Sequence, residues 1–263
     1  MTFLSIQDKV SFIQTCQKFY NIGQYIFKNN AIEYNKTIDN NWLKIYKPKV
    51  KLTRNFKTLP PLECIHEIDL RDNLWKSIKF NAIGNMNNLQ ILSITRAHLK
   101  YIPKEIANLP NLVHLSLDDN RIMDFSVVCN LPKLTFLDLS YNRIQKIPDE
   151  IENLTSLTKL SLEFNNIHHV SPNISKLTNL QYVELFANRL KSVPYIETLV
   201  LYLDFNDLSC ICNCLSPKLQ LLDVSNNIKL ECILPCLNDL KDLDISETNI
   251  DTRNVPDTCI IRD

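Results

Sequence analysis

The stretch KLTFLDLSYNRIQKIPDEIENLT occupies Lys133–Thr155, and a close variant, SLTKLSLEFNNIHHVSPNISKLT, follows it directly over Ser156–Thr178. Both open on the pattern LxxLxLxxNxL. In the first copy Leu137 and Leu139 alternate with polar neighbours, as a half-buried strand requires. Asn142 stands where the chain must turn inward, and its side-chain amide can satisfy backbone groups that the turn leaves unpaired. The tail, IPDEIENL, spaces its apolar residues for a short helical turn.

Moved along the chain, the pattern lands with first positions at Ile65, Leu89, Leu112, Leu134, Leu157, Leu180, Thr198, Leu219 and Leu240. The steps between them run from 18 to 24 residues. A degenerate copy near Lys47 precedes the series and reads as a cap. No single copy buries its own leucines, so neighbours must stack as parallel strands about 4.8 Å apart. The recurring asparagines are Asn120, Asn142, Asn165, Asn188 and Asn206. This period and pattern resemble leucine-rich repeats. The tails IPKEIANLPNL (Ile102–Leu112), IPDEIENLTSL (Ile147–Leu157) and VSPNISKLTNL (Val170–Leu180) resemble the intracellular, Ras-suppressor type. The second copy departs with Ala97 at the asparagine position, and the ninth with Thr248. The resemblance implies an α/β fold: a right-handed horseshoe solenoid with a parallel sheet on its concave face and short helices, 3-10 turns or loops on its convex face. The later, shorter copies lose the helical tail and should have a less helical convex side. The expected domains are a helical N-terminal region over 1–46 and the solenoid over 47–263.

Composition bounds the rest. The chain has 263 residues, 45% of them hydrophobic, which is ample for a core. Lys+Arg and Asp+Glu each number 29, but residues 1–61 carry a net charge of +7 and the remainder −7. A basic head on an acidic body predicts two different surfaces. No signal peptide is visible, and no run approaches the roughly 18 apolar residues of a membrane span. Nine cysteines then read as reduced thiols in a cytoplasmic protein, with the sequons at Asn35, Asn153 and Asn173 unused. Only Gly23 and Gly84 are glycine, so asparagine takes over turn duty.

The expected site is the outward face of the sheet, positions two, three, five, seven and eight of each copy. Those positions hold thirteen acidic residues, from Glu67 to Glu247, and the basic residues Arg71, Arg96, Lys159 and Lys241. Within them lie Phe136, Tyr141, Phe164, Tyr182, Phe186, Tyr202 and Phe205. Aromatic anchors beside Asp138, Glu163, Glu184 and Asp204 predict a protein-binding surface. An acidic surround argues against nucleic acid, whose phosphates it would repel.

Catalytic chemistry finds no support. Two glycines 61 residues apart exclude GxGxxG, the P-loop and GxSxG, and no HExxH occurs. His168–His169 reads as a surface pair. Cys210, Cys214, Cys232 and Cys236 come from two stacked copies and have the number of thiols a zinc site needs. Their spacing is weak for one, and packing in the core is the favoured reading. No cofactor is expected.

The basic head has two readings. Ser5 with Asp8 marks a helix start, and Ile6, Val10, Ile13 with Phe12, Cys16, Phe19, Tyr20 follow a helical stripe. One reading is a cap over the first copy. The other is that FLSIQDKVSFIQTCQKFYNI (Phe3–Ile22) resembles the second half of an F-box, without its opening Leu-Pro helix. That resemblance implies binding to a Skp-type adaptor of a cullin ubiquitin ligase through Val10, Ile13, Phe19 and Tyr20. Beyond it, KIYKPKVKLTR (Lys44–Arg54) alternates lysines as a protected edge strand does.

Function therefore reads as a non-enzymatic scaffold or regulatory subunit in intracellular signalling, holding a phosphatase or small GTPase on the concave face. The alternatives are a ubiquitin-ligase substrate receptor, with the ubiquitination substrate on the same face, and the recognition part of a larger signalling enzyme.

Overall fold

A computed structural model describes residues 27–28, 31–33, 49–52, 65–71, 83–211, 214–231, 235 and 237–263. Its strands are β1 (Phe27–Lys28), β2 (Ala31–Glu33), β3 (Lys49–Leu52), β4 (Ile65–Arg71), β5 (Ile91–Thr95), β6 (His114–Ser116), β7 (Phe136–Asp138), β8 (Lys146–Ile147), β9 (Lys159–Ser161), β10 (His169–Val170), β11 (Tyr182–Glu184), β12 (Val200–Tyr202), β13 (Leu221–Asp223), β14 (Asp242–Asp244) and β15 (Ile260–Arg262). Among the described residues, all but β8 and β10 form one 13-stranded sheet in chain order. Its neighbours run parallel except the β1–β2 pair, which is antiparallel. Every one of the nine pattern registers carries a strand. The degenerate copy near Lys47 is β3.

Of the stretch 1–46, the described pieces are the strands β1 and β2, so the sheet reaches beyond the repeat pattern, and the helical stripe Ile6–Tyr20 lies outside the described residues. The lysine-alternating segment is not an edge strand, because β3 pairs with β2 on one side and β4 on the other. Val10, Ile13, Phe19 and Tyr20 lie outside the described residues.

One continuous apolar core runs from Ile65 to Ile245. The fourth- and sixth-position residues, such as Leu137 and Leu139, are fully buried, while Phe136 and Asp138 beside Leu137 stay partly exposed. Across the core from the sheet lie 3-10 turns at Lys104–Asn108, Ser126–Asn130, Asp149–Asn153 and Pro172–Lys176, five residues each. Five residues are too few to repay the nucleation of an α-helix, and the tighter 3-10 ladder takes their place. Pro103 and Pro148 stand at the start of two of them. In the last, Ser171 Oγ accepts from the Asn173 amide at 3.2 Å. No 3-10 or α-helix follows Lys176 among the described residues, in keeping with the shortened copies. His168 and His169 are both exposed, His169 in the small β8–β10 sheet.

The asparagines hold neighbouring copies together. Asn165 Oδ1 accepts from the Ile144 amide at 2.9 Å, and its Nδ2 donates to the Leu139 and Leu162 carbonyls at 3.0 Å each. Asn142 Nδ2 donates to that same Leu139 carbonyl, and Asn188 Nδ2 to that same Leu162 carbonyl. The arrangement repeats through Asn120, Asn206 and Asn227. Asn227 was not among the asparagines expected from the pattern. The copy that starts at Leu219 puts it at position nine, with Asn226 at position eight.

Candidate functional site on the sheet face

Parallel pairing in strict register turns each pattern position into a row that crosses the strands. Position three reads Glu67, Ile91, His114, Phe136, Lys159, Tyr182, Val200, Leu221 and Asp242. Position five reads Asp69, Ser93, Ser116, Asp138, Ser161, Glu184, Tyr202, Asp223 and Asp244. Position seven lies past the strand ends and includes Asp118, Glu163, Phe186 and Asp204. Its carbonyls accept from the position-eight amide of the preceding copy, as Glu163 does from Tyr141 at 3.0 Å.

Position eight is left-handed in every copy from the second onward: Arg96, Asp119, Tyr141, Phe164, Ala187, Phe205, Asn226 and Glu247 have φ between 50° and 59°. Glycine and asparagine suit that backbone, whereas a bulky side chain pays a steric cost there. Tyr141, Phe164 and Phe205 nevertheless occupy it and stand out into solvent, 52%, 43% and 58% exposed. Tyr141 and Phe164 stack at 4.4 Å, and Phe186 meets Phe164 edge-on at 5.3 Å. On position three, Phe136 stacks with His114 at 4.0 Å, and Lys159 Nζ lies 6.0 Å from the Phe136 ring centre. Tyr182 is exposed on the same row.

The expected residues Phe136, Asp138, Tyr141, Glu163, Phe164, Tyr182, Glu184 and Phe186 thus come together over β7, β9 and β11. Tyr202, Asp204 and Phe205 form a second group on β12 and the turn after it. Phe205 sits two copies from Phe164, roughly 10 Å at the usual strand spacing. One contributor escaped the sequence reading: His114, which stacks on the Phe136 ring. Asp118 and Asp223, two of the thirteen acidic residues expected there, continue the acidic surface. Only the cross-strand register reveals their alignment.

Electrostatics are set by half-buried carboxylates. Burial pushes Glu163 up to about 7, with Glu184 and Asp138 adding to the rise and Lys159 opposing it. Glu163 Oε2 is buried and finds no hydrogen-bond partner among the described residues. Asp204 rises to about 6, from burial first and then Asp223 and Asp244. Burial likewise raises Asp118 and Asp223. Glu184 is paired with Lys159 Nζ at 2.8 Å. A carboxylate raised in the folded state penalises the fold when charged, so its penalty is full above pH 7 and relieved as pH falls toward 4.5. Glu163→Gln should therefore be more stable than wild type at pH 8 by on the order of 1–2 kcal/mol after allowance for solvent screening. Near pH 4.5 the two should coincide. Urea titrations at both pH values measure this, and a pH-independent difference would show that charge is not the cause.

Among the described residues no group of three or more His, Cys, Asp or Glu side chains is placed to hold a metal ion. Cys214 is buried, as core packing requires, but Cys210 is exposed. Cys232 and Cys236 lie outside the described residues, so the four-thiol reading stays with the sequence. Cys129 is buried, and burial pushes its thiol up to about 12, leaving it unreactive at neutral pH. No helix of the described residues is long and apolar enough to cross a membrane.

Residues 65–122 and 132–190 match the family model of the leucine rich repeat. Over those residues the chain carries leucine-rich repeats. Solved structures of the same fold include an internalin (inlF) from Listeria monocytogenes, at 22% identity and a TM-score of 0.65 over 88% of this chain and 73% of that one. The leucine-rich-repeat ectodomain of the plant membrane receptor kinase GASSHO1/SCHENGEN3 from Arabidopsis thaliana aligns at 21% identity and a TM-score of 0.56, over 76% of this chain and 30% of that one. A plant peptide hormone receptor aligns at 22% identity and a TM-score of 0.50, over 72% of this chain and 37% of its own. No curated protein matches the sequence. Leucine-rich repeats generally mediate protein–protein interaction, and the fold is typically a non-enzymatic scaffold.

Proposed function

We propose that this leucine-rich-repeat chain is a non-enzymatic interaction module that takes a protein partner on its sheet face, between β6 and β13. One observation carries the reading. Tyr141, Phe164 and Phe205 are exposed aromatic side chains held on left-handed backbone, where asparagine or glycine would be relaxed. An arrangement that costs the fold and still leaves about half of each side chain in solvent is what a binding surface looks like, and aromatic anchors dominate such surfaces. Within this reading the chain acts as a scaffold or regulatory subunit in cytoplasmic signalling.

Affinity purification of the full chain beside a Tyr141→Asn/Phe164→Asn/Phe205→Asn variant tests it. The wild type should enrich a protein partner that the variant loses. Equal recovery by both would remove the sheet face from consideration. Capture of a phosphatase or a small GTPase would name the signalling branch, and capture of a Skp-type adaptor with a cullin would assign the chain to ubiquitin ligation.

A further inference from the structure

We propose that the segment of partner seated on this face is an extended stretch of protein bearing arginine or lysine, laid across the strands between two apolar rails. The proposal rests on the sheet-face reading above and adds the chemistry of what is bound. The first rail is position three, with Ile91, Phe136 and Tyr182, and the second is position eight, with Tyr141, Phe164 and Phe205. Ile91, Tyr141, Phe164, Tyr182 and Phe205 are all substantially exposed, so the face is an unpartnered apolar surface as well as a charged one.

Between the rails runs a file of carboxylates, one from each successive repeat. Asp118, Asp138, Glu163, Glu184, Asp204 and Asp223 alternate between positions seven and five. Where position five is not acidic, a serine often supports the neighbouring carboxylate instead. Ser116 Oγ donates to Asp118 at 2.8 Å, and Ser161 Oγ to Glu184 at 2.5 Å. The file is almost uncompensated. Lys159 is taken by Glu184, and at the C-terminal end Arg262 is taken by Asp242. Among the described residues no lysine or arginine forms an ion pair with Asp118, Asp138, Glu163, Asp204 or Asp223.

Charge complementarity selects the occupant. A cationic side chain entering the file neutralises carboxylates that now repel one another, and a guanidinium also stacks on the flanking rings. A second copy of this chain set face to face would oppose one carboxylate file with another, and a phosphate backbone would be repelled outright. Dimensions agree with an extended segment. Six strands at about 4.8 Å span roughly 24 Å, which seven or eight residues cover at about 3.3 Å each. Side chains of such a segment alternate in direction, so every second residue faces down into the file and between the rails. Toward the N-terminal end the face opens into a groove of about 540 Å³ lined by Glu67, Asp69, Asp118 and Tyr141, room enough for one whole anchoring side chain.

The test uses the full chain and two fluorescent octapeptides of alternating leucine with arginine or with citrulline, its neutral isostere. Fluorescence anisotropy at low salt should give the arginine peptide a Kd at least about tenfold tighter. The Glu163→Gln/Asp204→Asn/Asp223→Asn variant should weaken it by about tenfold. A variant with the same charge change away from the face, Glu150→Gln/Asp239→Asn/Asp257→Asn, should leave it within about twofold. Thermal melts confirm that both variants are folded. Equal binding of the two peptides, or equal weakening by the two variants, overturns the proposal. So does a concentration-dependent dimer that Phe164→Asn abolishes, because the occupant is then a second copy. If partner capture is lost in the aromatic variant while the peptides do not differ, the sheet-face reading survives and the basic segment alone is wrong. If the aromatic variant captures its partner as well as wild type, both fall together.

Discussion

Asn165→Ala should lower the unfolding free energy by about 3 kcal/mol, more than any single surface change on this chain. The figure follows from which groups are left without a partner. The Ile144 amide donates to Asn165 Oδ1 within the interior, and without it a buried donor is unsatisfied, at about 1–3 kcal/mol. The Leu139 and Leu162 carbonyls fare better, because Asn142 and Asn188 still donate to them. Each loses one of two bonds, about 0.5–1 kcal/mol apiece. Asn165→Asp should be no milder at neutral pH, since it points an acceptor at two carbonyls. Asn111→Ala is the control. Asn111 is also hydrogen-bonded between repeats, to the Asn87 carbonyl at 2.7 Å, but at an exposed site, and it should cost less than about 0.5 kcal/mol. Urea unfolding of the three variants measures the series. A loss below about 1 kcal/mol for Asn165→Ala would mean that the inter-repeat asparagines are not what holds the repeats in register.

The second large effect appears in one assay and not in the other. The Tyr141→Asn/Phe164→Asn/Phe205→Asn variant should lose partner affinity by a hundredfold or more, since hot-spot aromatics are worth roughly 2 kcal/mol or more each. Its stability should not fall in proportion. A non-glycine residue in the left-handed region costs about 1–2 kcal/mol, and asparagine relieves part of it. Phe205 shows this most cleanly, because 58% of it is already in solvent. Phe205→Asn alone should stabilise the fold by about 0.5–1 kcal/mol. For Tyr141 and Phe164 the relief is offset by the ring stack at 4.4 Å, worth about 0.5–1.5 kcal/mol. Asn226, at the same position two strand turns after Phe164's neighbour Ala187, shows that the chain itself uses asparagine there when no ring is presented. Differential scanning calorimetry beside a binding titration separates the two effects. A variant that loses stability and affinity together would mean that the rings are structural.

The repeating leucines and asparagines were legible because their physics is local and periodic: a fixed spacing, one buried row, one amide at each inward turn. Asn227 obeys the same rule, at position nine of the copy that starts at Leu219, and its bonds to Leu203 and Val224 hold its side chain inward. The candidate aromatics were also legible, but not their backbone. Nothing in the letters Tyr, Phe and Phe announces a left-handed conformation, because propensity argues against it and the repeat overrides propensity. That Asp118, Asp138 and Glu163 lie side by side as one file needed the register of one strand against the next. Strands β1 and β2 fall where the pattern had already faded, so periodicity had nothing to say about them.

The doubly used carbonyls at Leu117, Leu139, Leu162, Leu185 and Leu203 have a consequence for how such a chain can change length. Every junction offers the same acceptor to its successor and asks the same donor of its predecessor. Excising Arg143–Asn165 brings Asn142 up against Asn166, lets Ile167 stand where Ile144 stood, and presents the Leu139 carbonyl to Asn188 in place of Leu162. No polar group is stranded at the seam. Duplication works by the same rule in reverse. The recognition surface can therefore grow or shrink by whole units under recombination, each unit adding or removing one strand's width of contact, without any compensating change in the rest of the molecule.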